Sequence, residues 1–219
     1  MTSTRKTFDQ ELKELKQDLL KMGGAVDQMM SGAMKALKEC DVDLADKVIA
    51  MDDIVDNYNL EIEQKCLKLL ALQQPMAVDL RTIAATLYII KDVERMGDYA
   101  LDIAKAAKKL ADKPFDKLLE DLPRMAELVR KMLRDSLDAY INHDIKVIEE
   151  VARDDDEVDR LYRLIRDELL EYMEKYPTLI RQAMELILIV RYLERIADHI
   201  TNVGERVYYM EIGEIKELH

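Results

Sequence analysis

Val93-Glu94-Arg95-Met96-Gly97-Asp98 occurs a second time, one hundred residues on, as Leu193-Glu194-Arg195-Ile196-Ala197-Asp198. Upstream, Arg81 falls on Arg181 at the same shift. Beyond a loop that differs by three residues, the shift becomes 103. There Asp52-Asp53-Ile54-Val55-Asp56 falls on Asp155-Asp156-Glu157-Val158-Asp159. Val26, Met29, Met30, Ala33, Met34 and Leu37 likewise fall on Val129, Met132, Leu133, Ser136, Leu137 and Tyr140. This period exceeds that of short solenoid repeats and describes a duplicated unit of about 100 residues.

Each copy predicts three helices. Leu12, Leu15, Leu19, Met22, Val26, Met29, Ala33 and Leu37 recur at spacings of three and four, the pattern of one amphipathic helix. Cys40-Asp41-Val42-Asp43 ends it and opens the second helix, with Asp41 or Asp43 as N-cap. The second helix runs to Leu72, Gln73-Gln74-Pro75 turns the chain, and Pro75 starts a third helix reaching Leu110. Ala111-Asp112-Lys113-Pro114 links the copies. The second copy predicts helices over Asp116–Ile141 and Asp144–Lys175, then a last one opened by Pro177. Pro123 falls in the first turn of the fourth helix or kinks it. Long helices joined by short turns lie antiparallel to their neighbours. The predicted fold is therefore all-α: six long antiparallel helices in two tandem, pseudo-twofold-related three-helix bundles, residues 1–112 and 113–219.

Composition narrows the function. Charged residues make up 36% of the chain and aromatics 5%, with six Gly and four Pro, which suits long helices and disfavours an all-β fold. With 33 basic and 45 acidic residues the net charge is −12. That disfavours general nucleic-acid binding, which draws on paired phosphates, and docking on anionic membranes through a broad basic face. No uncharged run approaches the roughly 20 residues a bilayer-spanning helix needs. Met1–Thr7 is polar and has no leader pattern. Cys40 and Cys66 form no paired motif and read as reduced thiols of a cytoplasmic protein. Lys105, Lys108, Lys109, Lys113 and Lys117 read as a solvated helix end, and Met22, Met29, Met30 and Met34 as core. Gly-rich phosphate loops, Ser/His/Asp sets and reactive-cysteine contexts are missing from the sequence, so no enzymatic activity is expected.

Four acidic pairs stand out: Asp52/Asp56, Glu94/Asp98, Asp155/Asp159 and Glu194/Asp198. Each is spaced i, i+4, so both carboxylates project from one helix face. Like charges so placed weaken a helix by roughly 0.2–0.5 kcal/mol per pair. In each copy one pair lies on the second helix and one on the third, so antiparallel packing can bring four carboxylates to one seam. Two unit charges about 4 Å apart repel by roughly 4 kcal/mol at an effective dielectric of 20, so something positive must compensate. It can be a cation, an adjacent base such as Arg95 or Arg195, or water around a solvated face. An oxygen-only site suits hard cations: Mg, Ca, Mn or ferric iron. Gly97 inside one pair allows close helix approach, with the small Ala197 in its place in the other copy. His199 follows Asp198 directly and points about 100° around the helix. The Glu-x-x-His motif of di-iron bundles is missing from the helices that carry the pairs, which leaves a di-iron oxidoreductase as an alternative without its signature. A metal-free scaffold neutralised by Arg95 and Arg195 is the other alternative.

Gln74-Pro75-Met76-Ala77-Val78-Asp79-Leu80-Arg81, followed by Asp92-Val93-Glu94-Arg95-Met96-Gly97-Asp98, resembles the signature of the PhoU family, with a weaker second copy at Leu193–His199. The resemblance extends through both repeats. It implies two three-helix bundles, often dimeric, and cytoplasmic regulation of phosphate uptake. The implied partners are the phosphate ABC transporter and a phosphate-responsive sensor histidine kinase, with membrane association only through them. The regulation implied is repression of phosphate-starvation signalling. The family's acidic motifs are metal-cluster sites, with iron in some members and other divalent ions in others. Carried over residue by residue, they fall on Asp52, Asp56, Glu94 and Asp98, and on Asp155, Asp159, Glu194 and Asp198. The second copy departs at Tyr176-Pro177-Thr178-Leu179-Ile180-Arg181, which puts equal occupancy of the two sites in question.

Overall fold

The computed structural model describes residues 3–73, 75–112, 120–214 and 216–218. Within them the chain forms seven α-helices: α1 (Ser3–Glu39), α2 (Val42–Ile49), α3 (Asp52–Gln73), α4 (Ala77–Ala111), α5 (Asp121–Asn142), α6 (Ile145–Lys175) and α7 (Ile180–Ile212). A single 3-10 turn, Pro177–Leu179, precedes α7. Among the described residues no helix is long and apolar enough to cross a membrane.

The ends of α1 and α5 show how closely the copies match. Cys40 and His143 both adopt the left-handed conformation, with φ of 53° and 59°, where glycine is usual. The next residues, Asp41 and Asp144, donate their backbone N–H groups back to the carbonyls of Ala36 and Ala139. Their side chains then cap the following helices, accepting from Leu44 N at 2.9 Å and Lys146 N at 3.0 Å. Asp41 is thus the N-cap of the second helix, and Asp43 lies inside the first turn. The second helix differs between copies. In the first it breaks at Ala50–Met51, where Met51 N–H donates to Val48 C=O in a tighter turn, while α6 is continuous. No Gly or Pro announces that break. Pro75 lies two residues ahead of α4, whose N-cap is Met76. Pro123 sits in the first turn of α5, where a missing N–H is tolerated. The expected start of this helix at Asp116, with Lys113 and Lys117, lies outside the described residues.

α1, α3 and α4 pack as one bundle and α5, α6 and α7 as the other, joined through α4 against α7 and α1 against α5. One continuous core runs through both. Met22, Met29 and Met30 lie fully inside it, and Met34 packs on its edge. The joint is pseudo-symmetric at the level of single contacts. Asp27 and its repeat equivalent Arg130 bind each other, at 2.8 and 3.0 Å. Across α4 and α7, the contact of Asp92 with His199 has its counterpart in that of Tyr192 with Tyr99. The two helices run antiparallel, with Arg81 Nε donating to Met210 C=O at one end and Lys109 bonded to Glu185 at the other.

Candidate functional site

Each acidic seam is built where two helices approach closely. Gly97 lies between Glu94 and Asp98 on α4, and Val55 between Asp52 and Asp56 on α3. A Cβ added to Gly97 would lie 3.2 Å from Val55 Cγ1, so the helices meet directly beneath the four carboxylates. In the second copy the equivalent Val158 and Ala197 are fully buried under Asp155, Asp159, Glu194 and Asp198.

The electrostatics join the predicted residues into two quartets. Burial raises the Asp52 carboxyl above the usual range, and the charges of Asp56 and Asp98 push the same way. Glu94 is raised by burial, then by Asp98 and Asp56, with Arg95 opposing. Glu194, only 9% exposed, is pushed up to about 7 by burial, then by Asp198, with Asp159 and Asp155 adding and Arg191 opposing. Its Oε2 is buried and accepts no hydrogen bond. A buried carboxylate oxygen without a donor is costly, and a positive ligand would offset that cost.

Bases meet these carboxylates mostly from their own helices. Arg95 reaches Asp98, and Arg195 reaches Asp198, each at 2.8 Å and three residues along. Arg191 bonds Glu194, and Arg195 Nε stands 3.7 Å from Glu194 Oε2. Arg95 is largely exposed, so its bridge is a weak surface pair. Among the described residues, no three or more Asp, Glu, His or Cys side chains converge tightly enough to enclose an ion. Like charges spread apart and turn to the flanking arginines, so enclosing an ion requires rotation of these side chains. The all-oxygen donor set and the donorless Glu194 Oε2 fit a hard cation.

His199 turns away from the second quartet. Its Nδ1 lies 2.8 Å from Asp92 Oδ1, which also accepts from Asn202 Nδ2 at 3.1 Å. This cross-copy clamp was not anticipated from the sequence, although Asp92 and His199 flank the two repeated motifs. Of the lysine cluster, Lys105, Lys108 and Lys109 are ion-paired to Asp102, Asp46 and Glu185. Cys40 and Cys66 are both free thiols, and burial pushes that of Cys66 up to about 12.

Comparison with known proteins matches the same two stretches. The PhoU domain model matches residues 19–107 and again 122–207. The chain is 40% identical over 216 residues to a Clostridium acetobutylicum protein named as a phosphate-specific transport system accessory protein PhoU homolog, covering 98% of this chain and 99% of that one. An Aquifex aeolicus homolog of the same name is 40% identical over 205 residues, covering 94% and 93%. The crystal structure of PhoU from Pseudomonas aeruginosa superposes with a TM-score of 0.90 at 34% identity, over 94% of this chain and all of that one. The phosphate transport system regulatory protein PhoU from Streptococcus pneumoniae gives 0.89 at 34%, over 95% and 99%. Matched in both repeats and along nearly its whole length, the chain belongs to the PhoU family.

Proposed function

We propose that this chain is a non-catalytic, cytoplasmic accessory protein of a phosphate transport system, which modulates the ABC transporter and represses phosphate-starvation signalling through its sensor histidine kinase. The observation that carries this reading is its end-to-end similarity to relatives named as accessory and regulatory proteins of phosphate transport. The two acidic seams are proposed as its cation sites. Asp52, Asp56, Glu94 and Asp98 would hold one, and Asp155, Asp159, Glu194 and Asp198 the other. A multivalent ion (iron, Mg, Mn or Ca) would add to the positive charge of Arg95, Arg191 and Arg195 and tie α3 to α4 and α6 to α7. The donorless Glu194 Oε2 supports this reading most directly.

The bridges of Arg95 to Asp98 and Arg195 to Asp198 favour a second reading, a metal-free scaffold neutralised by arginine. Elemental analysis separates the two. Protein purified without chelator is expected to carry multivalent metal, and Glu94→Ala with Asp98→Ala to lose about half of it. The same variant is expected to derepress a phosphate-starvation reporter at high phosphate. Metal-free parent protein of unchanged fold, or a variant with unaltered regulation, overturns the metal reading.

A further inference from the structure

Where α1 meets the turn between α5 and α6, side chains from three elements form one hydrogen-bonded row. Lys16 on α1 places its Nζ 2.8 Å from His143 Nε2, and His143 Nδ1 meets Oε1 of Glu211 in the last turn of α7. An ammonium group carries donors only, so Nε2 accepts and the imidazole is neutral. Its single proton then lies on Nδ1 and is donated to Glu211. Amine, imidazole and carboxylate thus stand in the order of a nucleophile, a base and the group that orients the base.

The amine is poised differently from its neighbour on the same helix. Lys16 is half-buried, with Nζ 5.7 Å from the centre of the Tyr140 ring. Burial lowers its amine below the usual lysine range, with the charges of Glu211 and Asp79 opposing. Lys21 instead donates to Asp18 at 2.8 Å, and that bond holds its amine above the usual range. The row is also open to solvent, since His143 is 36% exposed and Glu211 25%.

Duplication did not supply this arrangement. His143 shares its left-handed turn with Cys40, and Glu211 falls on Ala111. Neither Cys40 nor Ala111 carries an imidazole or a carboxylate, so the row belongs to one end of an otherwise pseudo-symmetric molecule.

We propose that Lys16 is an acylation site, with His143 as its base and Glu211 as the positioning residue, and that its substrate is a small activated acyl donor, an acyl phosphate or an acyl thioester. The Lys16 ammonium gives one proton to His143 Nε2, and Glu211 faces the imidazolium that forms. The free amine attacks the acyl carbon, an N–C bond forms, and the C–O or C–S bond to the leaving group breaks. Phosphate or thiolate departs with the bonding pair and takes a second amine proton. His143 returns its proton to water. The product is a neutral amide, which removes the positive charge that faces Glu211 and Asp79 where the first copy meets the second.

The test incubates the full chain with acetyl phosphate or with acetyl-CoA and follows each lysine by mass spectrometry. Lys16 is expected to react about tenfold faster than Lys21, or more. His143→Gln keeps an acceptor for Lys16 and a donor for Glu211 but takes up no proton. It is expected to slow Lys16 about tenfold and to leave Lys21 unchanged, so the same sample reports that the helix is intact. Added imidazole is expected to restore part of the Lys16 rate in His143→Ala, which a merely structural histidine does not allow. The reagent that reacts identifies the donor as phosphate ester or thioester. Lys16 reacting no faster than Lys21 with either donor, reacting equally fast in His143→Gln, or gaining nothing from imidazole overturns the proposal.

Discussion

Glu194→Gln is expected to raise the stability of the metal-free protein by about 1–3 kcal/mol at pH 8, and by only about a quarter as much at pH 5. In the native protein this carboxyl is pushed up to about 7 by burial and by Asp198, with Asp159 and Asp155 contributing. In the unfolded chain it titrates near the ordinary glutamate value of 4.5. The folded state therefore holds its proton over a range where the unfolded state has lost it. Its contribution favours folding below about 4.5 and is lost as pH rises through about 7. Glutamine is neutral throughout, so the variant keeps at pH 8 what the parent loses. Part of the gain is offset because Arg191 and Arg195 lose a charged partner. Thermal melts of chelator-treated parent and variant at both pH values check this, with a shift of several degrees expected at pH 8 and a much smaller one at pH 5. Equal melting at pH 8, or an equally large difference at pH 5, sinks the argument. The same change is expected to weaken divalent-cation binding more than tenfold, because it removes a ligand charge. A residue that destabilises the empty protein yet strengthens ion binding is what a cation site requires.

Much of this arrangement is legible in the sequence because carboxylate placement at i, i+4 is set by helix geometry alone. Asp41, Asp144 and Pro177 could be placed at helix boundaries because capping and the fixed proline φ are local effects. Two features were not legible. The break at Ala50–Met51 carries no Gly or Pro, and its equivalent in α6 is continuous helix, so it follows from packing rather than propensity. The Asp92–His199–Asn202 clamp joins residues on different copies, and its pairing depends on the register of α4 against α7. The Asp27–Arg130 pair did carry a signal, since the two residues occupy equivalent positions with opposite charge. Opposite charges at equivalent positions suit two helices that meet across the pseudo-twofold itself. The acidic quartets were legible as seams, but how far their side chains spread depends on bases and burial that spacing does not encode.

Tyr140→Ala is expected to destabilise the whole molecule by about 3–5 kcal/mol, and Tyr140→Phe by only about 1 kcal/mol. Tyr140 is fully buried on α5 in the second copy, yet its hydroxyl lies 2.6 Å from Thr86 Oγ1 on α4 in the first. Thr86 commits its own proton to the carbonyl of Thr82 at 2.7 Å, so the tyrosine O–H is the donor in the bond between copies. Phenylalanine removes that bond but keeps the ring, and Thr86 retains its partner in Thr82. Alanine removes the ring and leaves a cavity among helices of both bundles. Against a total of about 5–15 kcal/mol, the larger loss consumes a substantial share of stability. Because the core is continuous, that loss cannot be confined to residues 113–219. Urea unfolding followed by helicity and by tyrosine fluorescence should give one coincident transition for parent and both variants, with the alanine midpoint shifted far more. Two separate transitions, with alanine moving only one of them, would show that the repeats fold as independent units and that the contact between copies contributes little.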